Sequence, residues 1–88
     1  MKDTPLTLLY FAWMRDAVGS GEEQRPLPDG IHTVAGLVDH LRGLSPGHDR
    51  ALGDPALLRV AVNQEWCRLD SAVAPGDEVA FFPPVTGG

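Results

Sequence analysis

The sequence predicts an α+β domain in which a mixed sheet carries one main helix packed on one face. Three observations lead there. Apolar runs of strand length stand near both ends of the chain, at 6–11 and 78–82. Between them, 33–44 is the stretch with a sustained helical stripe. A single long helix can cover only one side of a sheet, so the strands must share one layer beneath it.

The elements follow in order. Leu6-Thr7-Leu8-Leu9-Tyr10-Phe11 reads as a strand, rich in apolar and aromatic residues and preceded by Pro5. Trp13 to Val18 forms a short helical turn stopped at Gly19, with Gly19-Ser20-Gly21 as a loop. Glu23 to Leu27 reads as a short edge strand, because Pro26 cannot donate to a ladder. In the helix Thr33 to Leu44, the residues Val34, Leu37, Val38, Leu41 and Leu44 form one stripe. Thr33 supplies its N-cap and Ser45-Pro46-Gly47 ends it. Pro46 to Pro55 reads as a polar surface connection. Leu58 to Val62 is a strand whose only charge is Arg59, and Asn63-Gln64 turns the chain into a further strand at Glu65 to Leu69. Pro75-Gly76 marks another turn, and the last strand, Glu78 to Phe82, is stopped by Pro83-Pro84. First and last strands this apolar belong at the centre of the sheet, which points to a β-grasp arrangement. The domain is expected to span 1–83, with 84–88 as a flexible tail ending in Gly-Gly.

Composition narrows the function. With 88 residues the chain makes one small domain. Its core must use most of the apolar residues, leaving little room for a deep catalytic cleft. That favours a carrier or binding module over a self-contained enzyme. The net charge of −5, with no Lys/Arg cluster to offset it, argues against nucleic-acid binding. Cys67 is the single cysteine, which excludes an internal disulfide and a Cys-based zinc cage. Met1 to Pro5 lacks the features of a signal peptide, and the apolar run Leu8 to Met14 is too short to span a bilayer. No membrane association and a cytoplasmic location are the expectation.

The tail Val85-Thr86-Gly87-Gly88 is the most unusual feature. Gly-Gly at a terminus can be simple fraying sequence, and the dipeptide by itself leaves that reading open. Its context adds the functional one. Pro83-Pro84 is rigid and projects the tail from the domain. At extended spacing Pro84 to Gly88 reaches roughly 16–18 Å. Gly87 and Gly88, lacking side chains, can thread a narrow channel in a partner. The terminal carboxylate is ionised at neutral pH and is a poor electrophile, so a partner enzyme must first activate it, for instance as an acyl-adenylate made from ATP. A sulfur donor can then displace AMP and leave a thiocarboxylate; a lysine amine would instead give a protein conjugate.

Alternation along the outer strands supplies a second clue. If the helix covers Leu8, Tyr10, Val79 and Phe81, then Phe11 and Phe82 face the other way and Trp66 can join them. Such a patch is either an interaction site or a second small core beneath the long loop. Other candidates are weak. His32, His40 and His48 are too widely spaced to share a helix face, so no metal site is expected. Cys67 reads as a small packing residue. Gly19-Ser20-Gly21 lacks the lysine and phased glycines of a phosphate cradle. Arg15 is a surface charge that, beside Phe11, could orient an acidic group on a partner.

The stretch from Pro75 to Gly88, Pro-Gly-Asp-Glu-Val-Ala-Phe-Phe-Pro-Pro-Val-Thr-Gly-Gly, resembles the ending of the molybdopterin synthase small-subunit family, ubiquitin-like sulfur carriers of molybdenum cofactor synthesis. Tyr10 to Gly19 and Ala61-Val62-Asn63-Gln64 are similar to that family too, so the resemblance covers essentially the whole chain. It implies that an adenylating enzyme activates Gly88 with ATP and that Val85, Thr86 and Gly87 thread into the large, catalytic subunit. There the Gly88 thiocarboxylate would give its sulfur to cyclic pyranopterin monophosphate, within a heterotetramer. It implies docking through Phe11, Arg15, Trp66 and Phe82, and no cofactor bound by the chain alone. Trp13 and Trp66-Cys67 are bulkier or rarer than the family pattern, and Thr86 stands where Ser or Ala is usual. A carrier for thiamine or tRNA thiolation, or a ubiquitin-like modifier, would share the fold and the tail.

Overall fold

A computed structural model describes residues 4–84. Strand β1 (Leu6–Tyr10) leads through helix α1 (Trp13–Val18) to β2 (Glu22–Arg25). Helices α2 (Val34–Arg42) and α3 (Pro46–Leu52) and a 3-10 turn at Pro55–Leu57 follow. The chain then forms β3 (Arg59–Val62), β4 (Glu65–Cys67) and β5 (Glu78–Phe82). The five strands make one sheet in the order β2-β1-β5-β3-β4. The pair β1–β5 is parallel and the rest are antiparallel, so the sheet is mixed and the last strand lies at its centre. This is the ubiquitin-like β-grasp architecture, with both apolar end strands inside the sheet.

Register explains the layering. Leu8 stands opposite Val79 and Tyr10 opposite Phe81, and Val60 stands opposite Phe81 on the other side. These side chains point toward the helices and pack with Met14, Val34, Leu37, Val38 and Leu41 in one core. Each fully buried Leu, Val or Phe stabilises by roughly 1.5–3 kcal/mol, and this cluster supplies most of the apolar burial.

Helix α2 starts where the sequence puts it. Thr33 is extended and its hydroxyl accepts the Gly36 N–H at 3.2 Å, while its carbonyl takes Leu37 N–H. The Val34 and Ala35 N–H groups donate to the carbonyls of Ser71 and Leu69, so the segment between β4 and β5 satisfies the rest of that helix start. Val34, Leu37, Val38 and Leu41 are buried, but Leu44 lies beyond the helix and is exposed.

The stretch Pro46 to Pro55 is not a polar connection: its first part is helix α3. Ser45 caps it by accepting the His48 N–H at 3.1 Å, and Pro46 takes the first helical position. His48, Ala51 and Leu52 form its buried face at i, i+3 and i+4. Helix α3 lies against α1 so closely that a Cβ on Gly47 would collide with the Ala17 carbonyl oxygen. Strand β4 is shorter than expected, ending at Cys67, and β2 runs from Glu22 to Arg25.

Candidate functional site

On the face away from the helices, Leu9, Ala80, Ala61 and Trp66 form one row across four strands, in direct register. The two alanines are nearly inaccessible, because larger side chains stand on either side of them. Beside this row Phe11 and Phe82 stack, ring centroids 4.4 Å apart and planes within 4°. Trp66 meets Phe82 edge-on at 5.0 Å. Phe11 is 40% exposed and Trp66 70% exposed, so the aromatics are not covered by the chain. An exposed aromatic cluster of this kind is a candidate contact surface.

A groove of about 560 Å³ runs alongside, lined by Arg59, Trp66, Phe82, Pro83 and Pro84. The last two are the root of the tail, so the aromatic cluster and the exit of the C-terminal segment are continuous. Phe11, Trp66 and Phe82 are brought together as alternation predicts. Arg15 is not part of the groove. It is exposed on α1, and its stem lies along Gly21, where an added Cβ would come 2.9 Å from Arg15 Cδ. Val85, Thr86, Gly87 and Gly88 lie outside the described residues.

Sequence reasoning passed over Arg59, which read only as the charge within a strand. Its partner in register is Phe82, which places it at the end of β3 nearest the tail. The signal was available: it is the one charge in an apolar strand destined for the middle of a sheet. It is exposed, and its Nη1 donates to the Leu58 carbonyl at 3.0 Å.

Ala12 bends the chain out of β1 with φ 55° and ψ −135°, a conformation that costs an alanine of order 1–3 kcal/mol. The strain sits between Phe11 and α1. Across the sheet Asn63 and Gln64 form the two-residue turn of the β3–β4 hairpin, both at positive φ. The Asn63 amide Nδ2 donates to Asp77 at 3.1 Å and its Oδ1 accepts the Glu78 N–H at 3.0 Å, fastening this hairpin to the start of β5.

A second constellation lies on the helix side. Glu23 Oε1 accepts the Tyr10 hydroxyl at 2.9 Å and faces His48 Nε2 at 3.0 Å. Arg25 binds both oxygens of the same carboxylate, at 3.2 and 2.8 Å. His48 Nδ1 lies 2.7 Å from the Ser45 hydroxyl, within hydrogen-bond distance. Burial works to raise the Glu23 carboxyl, but donation from Arg25, His48 and Tyr10 outweighs it and holds the group down at about 2. Burial, and then the bond to Glu23, push the Tyr10 hydroxyl up. Serine, imidazole and carboxylate here imitate a hydrolytic triad, yet the serine hydroxyl is already engaged as a helix cap and the imidazole is 4% exposed. The arrangement fastens α3 to the sheet. Among the described residues no three His, Cys, Asp or Glu side chains are grouped to hold a metal. Cys67 is half-buried against the core. No described helix is long and apolar enough to cross a membrane.

Comparison with known proteins agrees with this geometry. The chain is 43% identical over 83 residues to the molybdopterin synthase sulfur carrier subunit of Haemophilus influenzae, covering 94% of this chain and 99% of that one. It is 41% identical over 83 residues to the protein of the same name in Escherichia coli, with the same coverage. The crystal structure of small archaeal modifier protein 1 from H. volcanii superposes with a TM-score of 0.77 at 30% identity, covering 93% of this chain and 99% of that chain. The ThiS family model matches residues 8–88, and the chain belongs to that family.

Proposed function

We propose that this protein is the sulfur-carrier subunit of a molybdopterin synthase, with no catalytic activity on its own. The observation that carries the reading is the continuity of the Phe11–Phe82–Trp66 cluster with Pro83 and Pro84: a docking surface opens directly onto the root of the tail. The relatives at 43% and 41% identity, named as sulfur carrier subunits, supply the chemistry.

In this reading an adenylating enzyme joins the Gly88 carboxylate to the α-phosphate of ATP and releases pyrophosphate. Attack by a sulfur donor on the acyl carbon then expels AMP and leaves a thiocarboxylate. Phe11, Trp66 and Phe82 seat the domain on the large subunit, with Arg15 at the margin. Val85, Thr86 and Gly87 carry the sulfur to cyclic pyranopterin monophosphate. The thiocarboxylate sulfur bonds to a substrate carbon and displaces an oxygen leaving group, giving a thioester to Gly88. Water then cleaves its acyl–sulfur bond, leaving the sulfur on the pterin and restoring the carboxylate. The chain itself needs no bound cofactor, works in the cytoplasm, and has neither nucleic acid nor membrane as partner. Two carriers on a large-subunit dimer complete a heterotetramer.

The test is intact-protein mass spectrometry after incubation with ATP, a sulfur source and the cognate activating enzyme. The expected result is a gain equal to one oxygen replaced by sulfur, placed on Gly88 by fragmentation and lost again on adding large subunit and pterin substrate. Removing Gly88 should abolish both steps. A second reading, a ubiquitin-like modifier, is favoured by the fold shared with the archaeal modifier protein. Conjugates to lysine that resist reductant, with no sulfur gain, would establish that reading instead.

A further inference from the structure

We propose that Arg59 is the charged anchor of the docking face, taking a carboxylate that the large subunit presents within an otherwise apolar surface; this rests on the carrier reading above. The groove beside the tail root has apolar walls of Trp66, Phe82, Pro83 and Pro84, and among the described residues Arg59 is its only charged side chain. The guanidinium is exposed and bonded through Nη1 to the Leu58 carbonyl, and among the described residues it forms no ion pair with a carboxylate. Its planar fork keeps donors for an incoming oxyanion, which a lysine could not match in geometry. The molecule as a whole carries a net charge of −5, so its long-range field does not draw an acidic partner. Attraction for a carboxylate at this spot is therefore local, and it fixes register more than it gathers partners. The chain's own Gly88 carboxylate is the competing occupant.

The experiment is calorimetric titration of the cognate large subunit with wild type, Arg59→Leu and Arg59→Lys at low and high salt. Arg59→Leu should weaken binding by about 30-fold or more and flatten the salt dependence, because a partner carboxylate is left buried without its cation. Arg59→Lys should fall between. Unchanged thermal unfolding of both variants checks the fold. Binding of Arg59→Leu within about twofold of wild type, with the same salt dependence, overturns the anchor and leaves the carrier reading standing. Absence of binding by wild type overturns both. Carbon NMR of the isolated protein addresses the tail: a Gly88 carboxyl that titrates lower in wild type than in Arg59→Leu would make the tail the occupant and overturn the proposal.

Discussion

Gln64 stands at φ 70°, in the second position of a two-residue hairpin turn where glycine is the usual resident. Asn63 before it, at φ 52°, suits its place, since asparagine tolerates the left-handed region and its amide is bonded across to Asp77 and Glu78. Gln64→Gly should therefore stabilise the domain by roughly 0.5–1 kcal/mol, seen as a higher urea midpoint with unchanged slope. A lower midpoint would show that the glutamine side chain, not the backbone, matters there. The turn was legible because Asn-Gln stands between alternating strands. Ala12 was not: alanine has no preference for positive φ, and only tertiary packing forces it there. Arg59 was legible as a charge but not as part of a site, because its neighbours in the groove come from β4, β5 and the tail root.

Helix α3 shows what local reading misses. Ser45-Pro46-Gly47 reads as the end of α2, and the polar residues that follow resemble a loop, yet Ser45 caps a further helix. The burial of His48 depends on Glu23, far away in the chain, and no local pattern marks a histidine as a core residue. Gly47 also read as a breaker, whereas it allows α3 to approach the Ala17 carbonyl. Gly47→Ala should lower stability by about 1–2 kcal/mol in urea unfolding, the clash outweighing the gain in helix propensity. An unchanged or raised stability would mean that α1 and α3 can part without loss. By contrast α2 was legible nearly to its ends, since its stripe and its Thr33 cap are both local. The outward turn of Phe11 and Phe82 was legible too, because alternation in a strand decides the face without reference to the rest of the fold.

For the molecule as a whole, Glu23 joins β1, β2 and α3 through one carboxylate. Its folded-state value of about 2 lies below the ordinary 4.5, so it binds protons less readily folded than unfolded. Its contribution is intact above 4.5 and is lost as pH falls toward 2. Wild-type urea midpoints should decline across that interval. Glu23→Gln should cost roughly 2 kcal/mol at neutral pH and show a shallower acid decline. An equal pH slope in the variant would assign the acid sensitivity to other carboxylates.

The parallel pairing of β1 with β5 has a consequence for synthesis. The sheet's central strand is the last to be made, so Leu8 and Tyr10 lack Val79 and Phe81 until nearly the whole chain has left the ribosome. Pairings this distant in the chain form late and leave apolar edges open meanwhile. A chain broken off before Glu78 would lose the strand that joins β1 to β3, leaving the sheet in two pieces. Folding thus waits on β5: only a chain translated through Phe82 can complete the sheet whose outer face gathers Phe11, Phe82 and Trp66.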